Sequence, residues 1–175
     1  KEKKEDILRW IEENQSKVVI KDELLKRENK TEDNVYTIDS EDSKDLDDAI
    51  SVKKNDNGNY ILDVHIADVS FYVRENSKLD KEAIRRGTSI YMFDRVIPML
   101  PFELSNGICS LNAGEDRLAL SCSMEIDKKG NLISADVFKS VIKVTERMTY
   151  TNVNKILNNL DKTILNRYNQ YIDSF

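Results

Sequence analysis

Six carboxylates crowd into residues 39–48 of this chain. They are Asp39, Glu41, Asp42, Asp45, Asp47 and Asp48, and Lys44 is the single cation among them. Like charges at this density raise one another's pKa and push a loop apart unless a cation relieves them. A bound divalent metal would provide that relief, although a solvated acidic turn would have the same composition.

The spacing of these carboxylates favours one type of metal. Asp45, Asp47 and Asp48 lie close together, and Asp39 stands six residues before Asp45 at the end of an apolar run. Hard cations such as Mg²⁺ and Mn²⁺ prefer carboxylate and water ligands, and Mg²⁺ often takes a substrate phosphate as a further ligand. A calcium EF-hand loop starting at Asp45 does not fit, because its sixth position is Ile50 rather than Gly. The pattern therefore indicates a magnesium site suited to phosphoryl chemistry.

Both flanks of the acidic segment read as strands, which predicts that a rigid scaffold holds it. Apolar residues precede it at positions 35, 36 and 38 and follow it at positions 49, 50 and 52. The turn sequence at residues 55–59 then predicts a hairpin between strands at 49–54 and 60–65. A second hairpin is predicted from strands at 118–126 and 132–142, joined by residues 127–130.

Helical patterns lie mainly toward the two ends of the chain. We predict an amphipathic helix at residues 6–14, a short helix at 22–27, a helix from the N-cap Ser77 to near Gly87, and a helical tail from Thr151 onward. A further strand is predicted at residues 88–92. Strands in runs with helices beside them predict an α+β fold with a mixed, mainly antiparallel sheet and flanking helices.

Bulk composition excludes some classes of protein. A net charge of −5 and a sequence pI near 5.1 argue against nucleic-acid binding through a general basic surface. Cys109 and Cys122 lack CxxC spacing and sit in apolar surroundings, which predicts buried free thiols in a reducing cytoplasm. No apolar run reaches the length of a membrane-spanning helix, so we expect a cytoplasmic protein without a membrane partner.

Several longer motifs resemble one family of nucleases. The acidic segment at 37–49 is followed by HIADVSFYV at 65–73, RGTSIY at 86–91, VIPMLP at 96–101, LSNGICSLN at 104–112 and RMTY at 147–150. In order and spacing they resemble the ribonuclease II/ribonuclease R family of 3′-to-5′ exoribonucleases, which are built around an RNB domain. The resemblance covers residues 31–157 and leans toward the ribonuclease R branch.

The resemblance implies a site and a reaction. Asp39 and Asp48 would hold the principal Mg²⁺, Asp47 a second position, and Asp45 would complete the cluster, with Mn²⁺ as an alternative ion. Tyr91 would stack on the terminal nucleotide of a single-stranded RNA 3′ end, although a tyrosine judged by its pattern alone is more often a core residue. The products would be nucleoside 5′-monophosphates. Glu41 and Asp42 match no metal position of the family, so we expect them to be solvated.

The resemblance also implies a division of the chain. Residues 31–157 would be the N-terminal half of an RNB domain, residues 1–30 a helical lead-in and residues 158–175 a helical tail. The later half of the family's domain contributes arginines and another acidic residue, which this chain does not show. We therefore expect weak or no activity from the chain alone, and a non-catalytic RNA-binding or scaffold module is the alternative. The oligomeric state is left open.

Four further residues are of types that could take part in catalysis or binding. His65 could act as a general base, but we expect a structural role since metal-activated water needs no imidazole. Asp68 could be a fifth ligand, but a buried carboxylate that accepts backbone N–H bonds is the expected role. Arg95 could contact phosphate or pair with Glu103, with neither favoured, and Arg117 is expected to be structural.

Overall fold

The structure is a computed structural model that describes residue 9, residues 17–158 and residues 160–170. The helix predicted at residues 6–14 falls outside these residues except at Arg9, which is helical. The end of the predicted helical tail, residues 171–175, falls outside them as well.

Nine strands are present in the described residues. They are β1 (Glu28–Lys30), β2 (Tyr36–Asp39), β3 (Asp48–Lys54), β4 (Tyr60–Ala67), β5 (Ile90–Tyr91), β6 (Val96–Ile97), β7 (Asp116–Ile126), β8 (Leu132–Lys143) and β9 (Glu146–Thr149). Seven of them form one sheet in the order β1-β8-β7-β4-β3-β2-β9, and β5 and β6 form a separate hairpin. Only β1 with β8 and β2 with β9 pair in parallel. The predicted α+β fold with a mainly antiparallel sheet is confirmed.

Helices flank this sheet. The α-helices are α1 (Lys17–Leu24), α2 (Val69–Tyr72), α3 (Lys78–Arg86), α4 (Tyr150–Leu157) and α5 (Lys162–Arg167), and a π-helix covers Glu103–Ile108. The Ser77 hydroxyl accepts a hydrogen bond from the Asp80 amide, and Gly87 ends α3 at a φ of 74°, as the predicted caps require. No helix in the described ranges is long and apolar enough to span a membrane.

Two predicted elements differ in the structure. The short helix predicted at residues 22–27 lies earlier, at Lys17–Leu24, because residues 28–30 must extend to pair with β8. The predicted lead-in therefore contributes a strand to the sheet. The strand predicted at residues 88–92 is reduced to Ile90–Tyr91, since its only pairing partner in the described part of the chain is the two-residue strand β6.

Both predicted hairpins are present, and together they supply the four adjacent strands β8, β7, β4 and β3 of the sheet. The Asn55 amide donates to the Asn59 carbonyl at 2.8 Å between β3 and β4, and Gly58 adopts a φ of 83° in that turn. Between β7 and β8, one carboxylate oxygen of Asp127 accepts from the amides of Lys129 and Asn131, each at 2.8 Å. β3 begins inside the acidic segment, at Asp48, so the first hairpin is part of the scaffold that carries this segment.

The apolar core is divided into three clusters of buried residues. One lies below the acidic segment and consists of Val35, Leu46, Ala49, Ala67, Leu111, Ala119, Ile142 and Val144. A second surrounds Leu104 beneath α3 and the π-helix, and a third packs Met148 against the helical tail. Cys109 is buried and Cys122 is half-buried, and both are free thiols. Burial raises the pKa of Cys109 to about 12, so it is an inert packing residue.

A buried ion pair joins the turn between α1 and β1 to the N-cap residue of α2. The side chains of Arg27 and Asp68 are 1 % and 5 % exposed, and their closest N–O distance is 2.8 Å. Arg27 Nε also donates to Glu23 at 2.7 Å, and its guanidinium lies 5.3 Å from the Phe71 ring centroid. Asp68 accepts from the Phe71 amide at 3.2 Å and so caps α2, as predicted for a buried carboxylate that accepts backbone N–H bonds.

Replacing Asp68 by Asn is expected to lower the free energy of unfolding by about 3 kcal/mol, because Arg27 would stay buried with only Glu23 as a charged partner. Burial by itself raises the pKa of Asp68, but hydrogen bonds from Ser70 and Arg27 outweigh it and leave that pKa lowered. A lowered pKa contributes stability above the unfolded-state value, about 4, and loses it as the pH falls through the folded-state value. The difference between the variant and the wild-type chain should therefore shrink below about pH 4.

Urea denaturation monitored between pH 3 and pH 7 measures this difference. Asp94→Asn is the matched control, since Asp94 pairs with Arg95 at the surface, where the side chains are 61 % and 67 % exposed. Equal stability losses from the two substitutions would contradict a special role for the buried pair.

Candidate metal centre

The four predicted ligands are brought to one end of the sheet. Asp39 is the last residue of β2, and Asp48 is the first residue of β3, its antiparallel neighbour. Asp45 and Asp47 belong to the connection between these two strands. Asp39 and Asp45 are half-buried, whereas Asp47 and Asp48 are exposed. The strand pairing therefore places near one another carboxylates that are separated by up to nine positions in the sequence.

A buried leucine anchors the connection. Leu46 is 1 % exposed and packs in the cluster below the acidic segment. Its amide donates to the Ser110 hydroxyl at 3.1 Å, and its carbonyl accepts from the Leu111 amide at 2.9 Å. The next carbonyl, that of Asp47, accepts from the Ala67 amide at 2.9 Å. Because the main chain is fixed at residues 46 and 47, the side chains of Asp45 and Asp47 start from defined positions at the surface.

Partial burial and neighbouring negative charge both raise the pKa of two of these carboxylates. Partial burial raises the pKa of Asp39, the charge of Asp48 raises it further, and Arg147 opposes this shift. The pKa of Asp47 is raised by partial loss of water and then by the charges of Asp45, Asp48 and Asp39. The two raised pKa values therefore have two causes, loss of water first and neighbouring negative charge second, and the second is the part that a bound cation would relieve.

The donor set suits a hard cation, but it is not a preassembled cage. In the parts of the chain that the structure describes, no three His, Cys, Asp or Glu side chains are grouped tightly enough to hold a metal ion. The oxygen-only chemistry and the unrelieved negative charge fit Mg²⁺ or Mn²⁺.

Tyr91 lies beside this carboxylate group rather than in the core. Its side chain is 66 % exposed on the β5–β6 hairpin, and its hydroxyl donates to Asp45 at 2.9 Å. This hydrogen bond raises the pKa of Tyr91 and keeps the phenol protonated. The interpretation of Tyr91 as a core residue is therefore wrong, and its ring is available for stacking next to the carboxylates.

Comparison with known proteins decides the family. Residues 27–172 match the RNB domain. The chain belongs to the RNB family. It is 54 % identical to the ribonuclease R of Thermotoga maritima over 155 residues, which cover 89 % of this chain and 22 % of that protein. Relatives of this kind confirm the predicted resemblance and its ribonuclease R branch, and this RNB chain spans about a fifth of the length of that relative.

Solved structures show the same RNB fold. The RNase R of Mycoplasma genitalium, solved in complex with double-stranded RNA, matches with a TM-score of 0.73 and 40 % identity over 80 % of this chain and 26 % of that chain. Yeast Ssd1, described as a pseudonuclease, matches with a TM-score of 0.70 over 81 % of this chain and 17 % of that one. At 23 % identity, this second likeness shows the shared fold alone.

The remaining candidate residues of the RNB chain, His65, Arg95 and Arg117, each have a partner within the fold. His65 is fully buried, with its Nδ1 2.7 Å from the Ser121 hydroxyl, and burial lowers its pKa. Arg95 pairs with its neighbour Asp94 at 3.0 Å rather than with Glu103. Arg117 donates to the Ser110 carbonyl at 2.9 Å, as expected for a structural arginine.

Glu41 and Asp42 are exposed, as predicted. A hydrogen bond from the Thr151 side chain lowers the pKa of Glu41, so this carboxylate is tied to α4 rather than directed at the metal ligands. Two residues that hold the acidic segment, Ser110 and Arg147, were not singled out from the sequence. Both lie in motifs of the family, but neither motif shows that its side chain reaches the acidic segment.

Asp48→Asn is expected to lower the pKa of Asp39 and of Asp47, since the Asp48 charge raises both. Carbon-detected NMR titration of the side-chain carboxyl groups measures the two values in metal-free buffer. Asp42→Asn is the control, because Asp42 is not among the charges that shift either group. Unchanged values in Asp48→Asn would show that the carboxylates do not interact.

Proposed function

We propose that this RNB chain provides the metal-binding carboxylates of a 3′-to-5′ exoribonuclease that hydrolyses single-stranded RNA and releases nucleoside 5′-monophosphates. The observation that carries the proposal is the gathering of four aspartates at one end of the sheet. Loss of water raises the pKa of Asp39 and of Asp47, and the charges of the neighbouring carboxylates raise both further. In a surface loop that binds no ligand, nothing would offset the repulsion between these carboxylates. We place the protein in the cytoplasm, on the strength of its free thiols.

Asp39 and Asp48 would hold the principal Mg²⁺, Asp47 a second position, and Asp45 would complete the set, with Mn²⁺ able to replace Mg²⁺. Bound divalent ions in such sites polarise the phosphate and make a bound water more acidic. The chain's own contribution is to orient its carboxylates from a fixed main chain at residues 46 and 47. The negative charge of the four groups is the feature that selects a cation at this position.

Tyr91 would receive the terminal base of the RNA. Stacking on an aromatic ring tolerates any base, which suits digestion of any sequence. Its hydroxyl bond to Asp45 holds the ring next to the carboxylates, so a stacked nucleotide would place its phosphate near them. The RNase R of Mycoplasma genitalium has been solved with ribose-methylated single-stranded RNA, which supports RNA as the partner class.

A non-catalytic RNA-binding or scaffold module is the second candidate. It is favoured by the lack of a preassembled group of three ligands among the described residues. We also expect the chain alone to have weak or no activity, since it spans about a fifth of the length of the Thermotoga maritima relative. A test of the reaction therefore needs the segment in a longer enzyme.

A chimera tests the proposed reaction. The 155 matching residues of Thermotoga maritima ribonuclease R are replaced by the corresponding residues of this chain, which are 54 % identical. With Mg²⁺, the chimera should shorten a 5′-labelled single-stranded RNA from its 3′ end. Asp47→Asn should lower this rate by at least about 100-fold, because the second cation position loses a charged ligand. Gel electrophoresis of the labelled products measures the rate.

Asp42→Asn in the same chimera should leave the rate unchanged, since Asp42 is exposed and outside the ligand set. A folded chimera that binds RNA without cutting it would favour the scaffold candidate. Cutting that survives Asp47→Asn would remove Asp47 from the reaction, and thermal melting of each variant establishes that it is folded.

Tyr91→Ala should weaken RNA binding by about tenfold, the loss expected for one stacked base. Tyr91→Phe keeps the ring and should keep most of this affinity. Fluorescence anisotropy of a labelled single-stranded RNA measures both, in the chimera that carries Asp47→Asn so that the RNA stays intact. Phe93→Ala is the matched control, because Phe93 is a fully exposed aromatic residue near Tyr91. Equal losses from Tyr91→Ala and Phe93→Ala would argue against a specific stacking site.

A further inference from the structure

Arg147 holds the outer part of the acidic segment through main-chain contacts. It lies on β9, where it is paired with Thr37 of β2, two residues before Asp39. One of its guanidinium nitrogens, Nη2, donates to the Ser43 carbonyl at 2.7 Å and to the Glu41 carbonyl at 3.1 Å. The next residue, Met148, is fully buried and fixes the strand from which Arg147 extends. A side chain about a hundred positions away thus bridges two carbonyls of the acidic segment.

The carbonyls that Arg147 binds belong to a small turn. The Ser43 amide donates to the Ser40 carbonyl at 3.3 Å, and the two serine hydroxyls lie 2.9 Å apart. These local bonds are exposed and weak by themselves. Arg147 adds two bonds from a charged donor, which are stronger than bonds between neutral groups. The turn begins directly after Asp39 and ends two residues before Asp45, so its shape sets the distance between them.

The Arg147 guanidinium binds main-chain carbonyls of the acidic segment rather than its carboxylates. Within the described residues, Arg147 lies in no salt bridge, although it stands in the most acidic part of the chain. Its charge still acts on Asp39 at longer range. A positive charge at this position repels a divalent cation. Arg147 therefore weakens metal binding through its charge, unless the segment geometry that it maintains strengthens binding by more than this repulsion.

We propose that Arg147 is a positioning residue for the metal-ligand segment. By holding the carbonyls of residues 41 and 43, it keeps Asp39 and Asp45 at a fixed separation, so that binding a cation does not have to order the turn. This inference rests on the proposed function, because it assumes that these aspartates bind a divalent ion.

Two explanations of Arg147 predict opposite changes in Mn²⁺ affinity when a neutral residue replaces it. If Arg147 acted only through its charge, Arg147→Gln would tighten Mn²⁺ binding by removing a repulsion, and Arg147→Lys would change nothing. If Arg147 positions the segment, Arg147→Gln weakens Mn²⁺ binding by about tenfold, the size supported by loss of hydrogen bonds from a charged donor. Arg147→Lys then lies between Gln and the wild type, since the Lys ammonium keeps the charge but its side chain ends one bond short of the position from which Nη2 reaches both carbonyls.

Mn²⁺ titration of the full chain, followed by water-proton relaxation, measures these affinities. Arg95→Gln is the matched control, because Arg95 is an exposed arginine bound only to its neighbour Asp94, and it should leave Mn²⁺ affinity unchanged. Hydrogen exchange of residues 40–47 without metal is the second measurement. Exchange at residues 40–47 should become faster in both Arg147 variants, while amides of the β7–β8 hairpin should exchange as slowly as in the wild type.

The outcomes separate the inference from the function on which it rests. A wild-type chain that binds Mn²⁺ no better than Asp47→Asn contradicts the proposed function. A wild-type chain that binds Mn²⁺, with equal or tighter binding in Arg147→Gln and unchanged exchange at residues 40–47, overturns the positioning role alone. If Arg147→Gln melts at the assay temperature, Arg147→Lys decides by the same criteria, since it keeps the charge and loses only the bridging geometry.

Discussion

Repulsion among four carboxylates is the constraint around which this part of the RNB fold is built. Bringing Asp39, Asp45, Asp47 and Asp48 to one end of a sheet costs free energy, and their mutual charge adds to the rise that loss of water causes in the pKa of Asp39 and of Asp47. A free loop would relax by moving its charges farther apart. The structure prevents this by burying Leu46 between them, so that apolar packing opposes the electrostatic tendency to spread.

The groups that oppose this spreading come from distant parts of the chain. Ser110 and Leu111 bind the main chain at residue 46, Ala67 binds it at residue 47, and Arg147 binds the outer turn. Each contact is a modest hydrogen bond, but together they connect the acidic segment to β4, to the residues after the π-helix and to β9. The acidic segment is therefore only as rigid as the packing of these three regions, so the placement of its carboxylates depends on the whole sheet.

Buried polar contacts elsewhere stabilise the same sheet. His65, Ser121 and Ser140 form a hydrogen-bonded row inside the sheet, with distances of 2.7 Å and 2.6 Å, and this row satisfies groups that would otherwise be costly to bury. The Arg27–Asp68 pair joins the turn after α1 to the N-cap of α2, immediately after the strand whose Ala67 holds the acidic segment. Tyr91 stands apart from this framework on a two-stranded hairpin, so its contact with Asp45 is the more adaptable one.

Local signals in the sequence determined much of the fold. Turn residues at 55–59 and 127–130, the alternation of apolar residues and the caps at Ser77 and Gly87 act over a few residues, so they predicted both long hairpins and α3. The density of carboxylates likewise indicated a cation site. The parallel pairs of β1 with β8 and of β2 with β9 join residues about a hundred positions apart, and no local pattern encodes such a pairing. Only the tertiary structure decided that residues 28–30 are a strand, that Tyr91 contacts Asp45, and that Arg147 and Ser110 hold the acidic segment. Hydrogen bonds between such distant segments depend on how the whole chain packs.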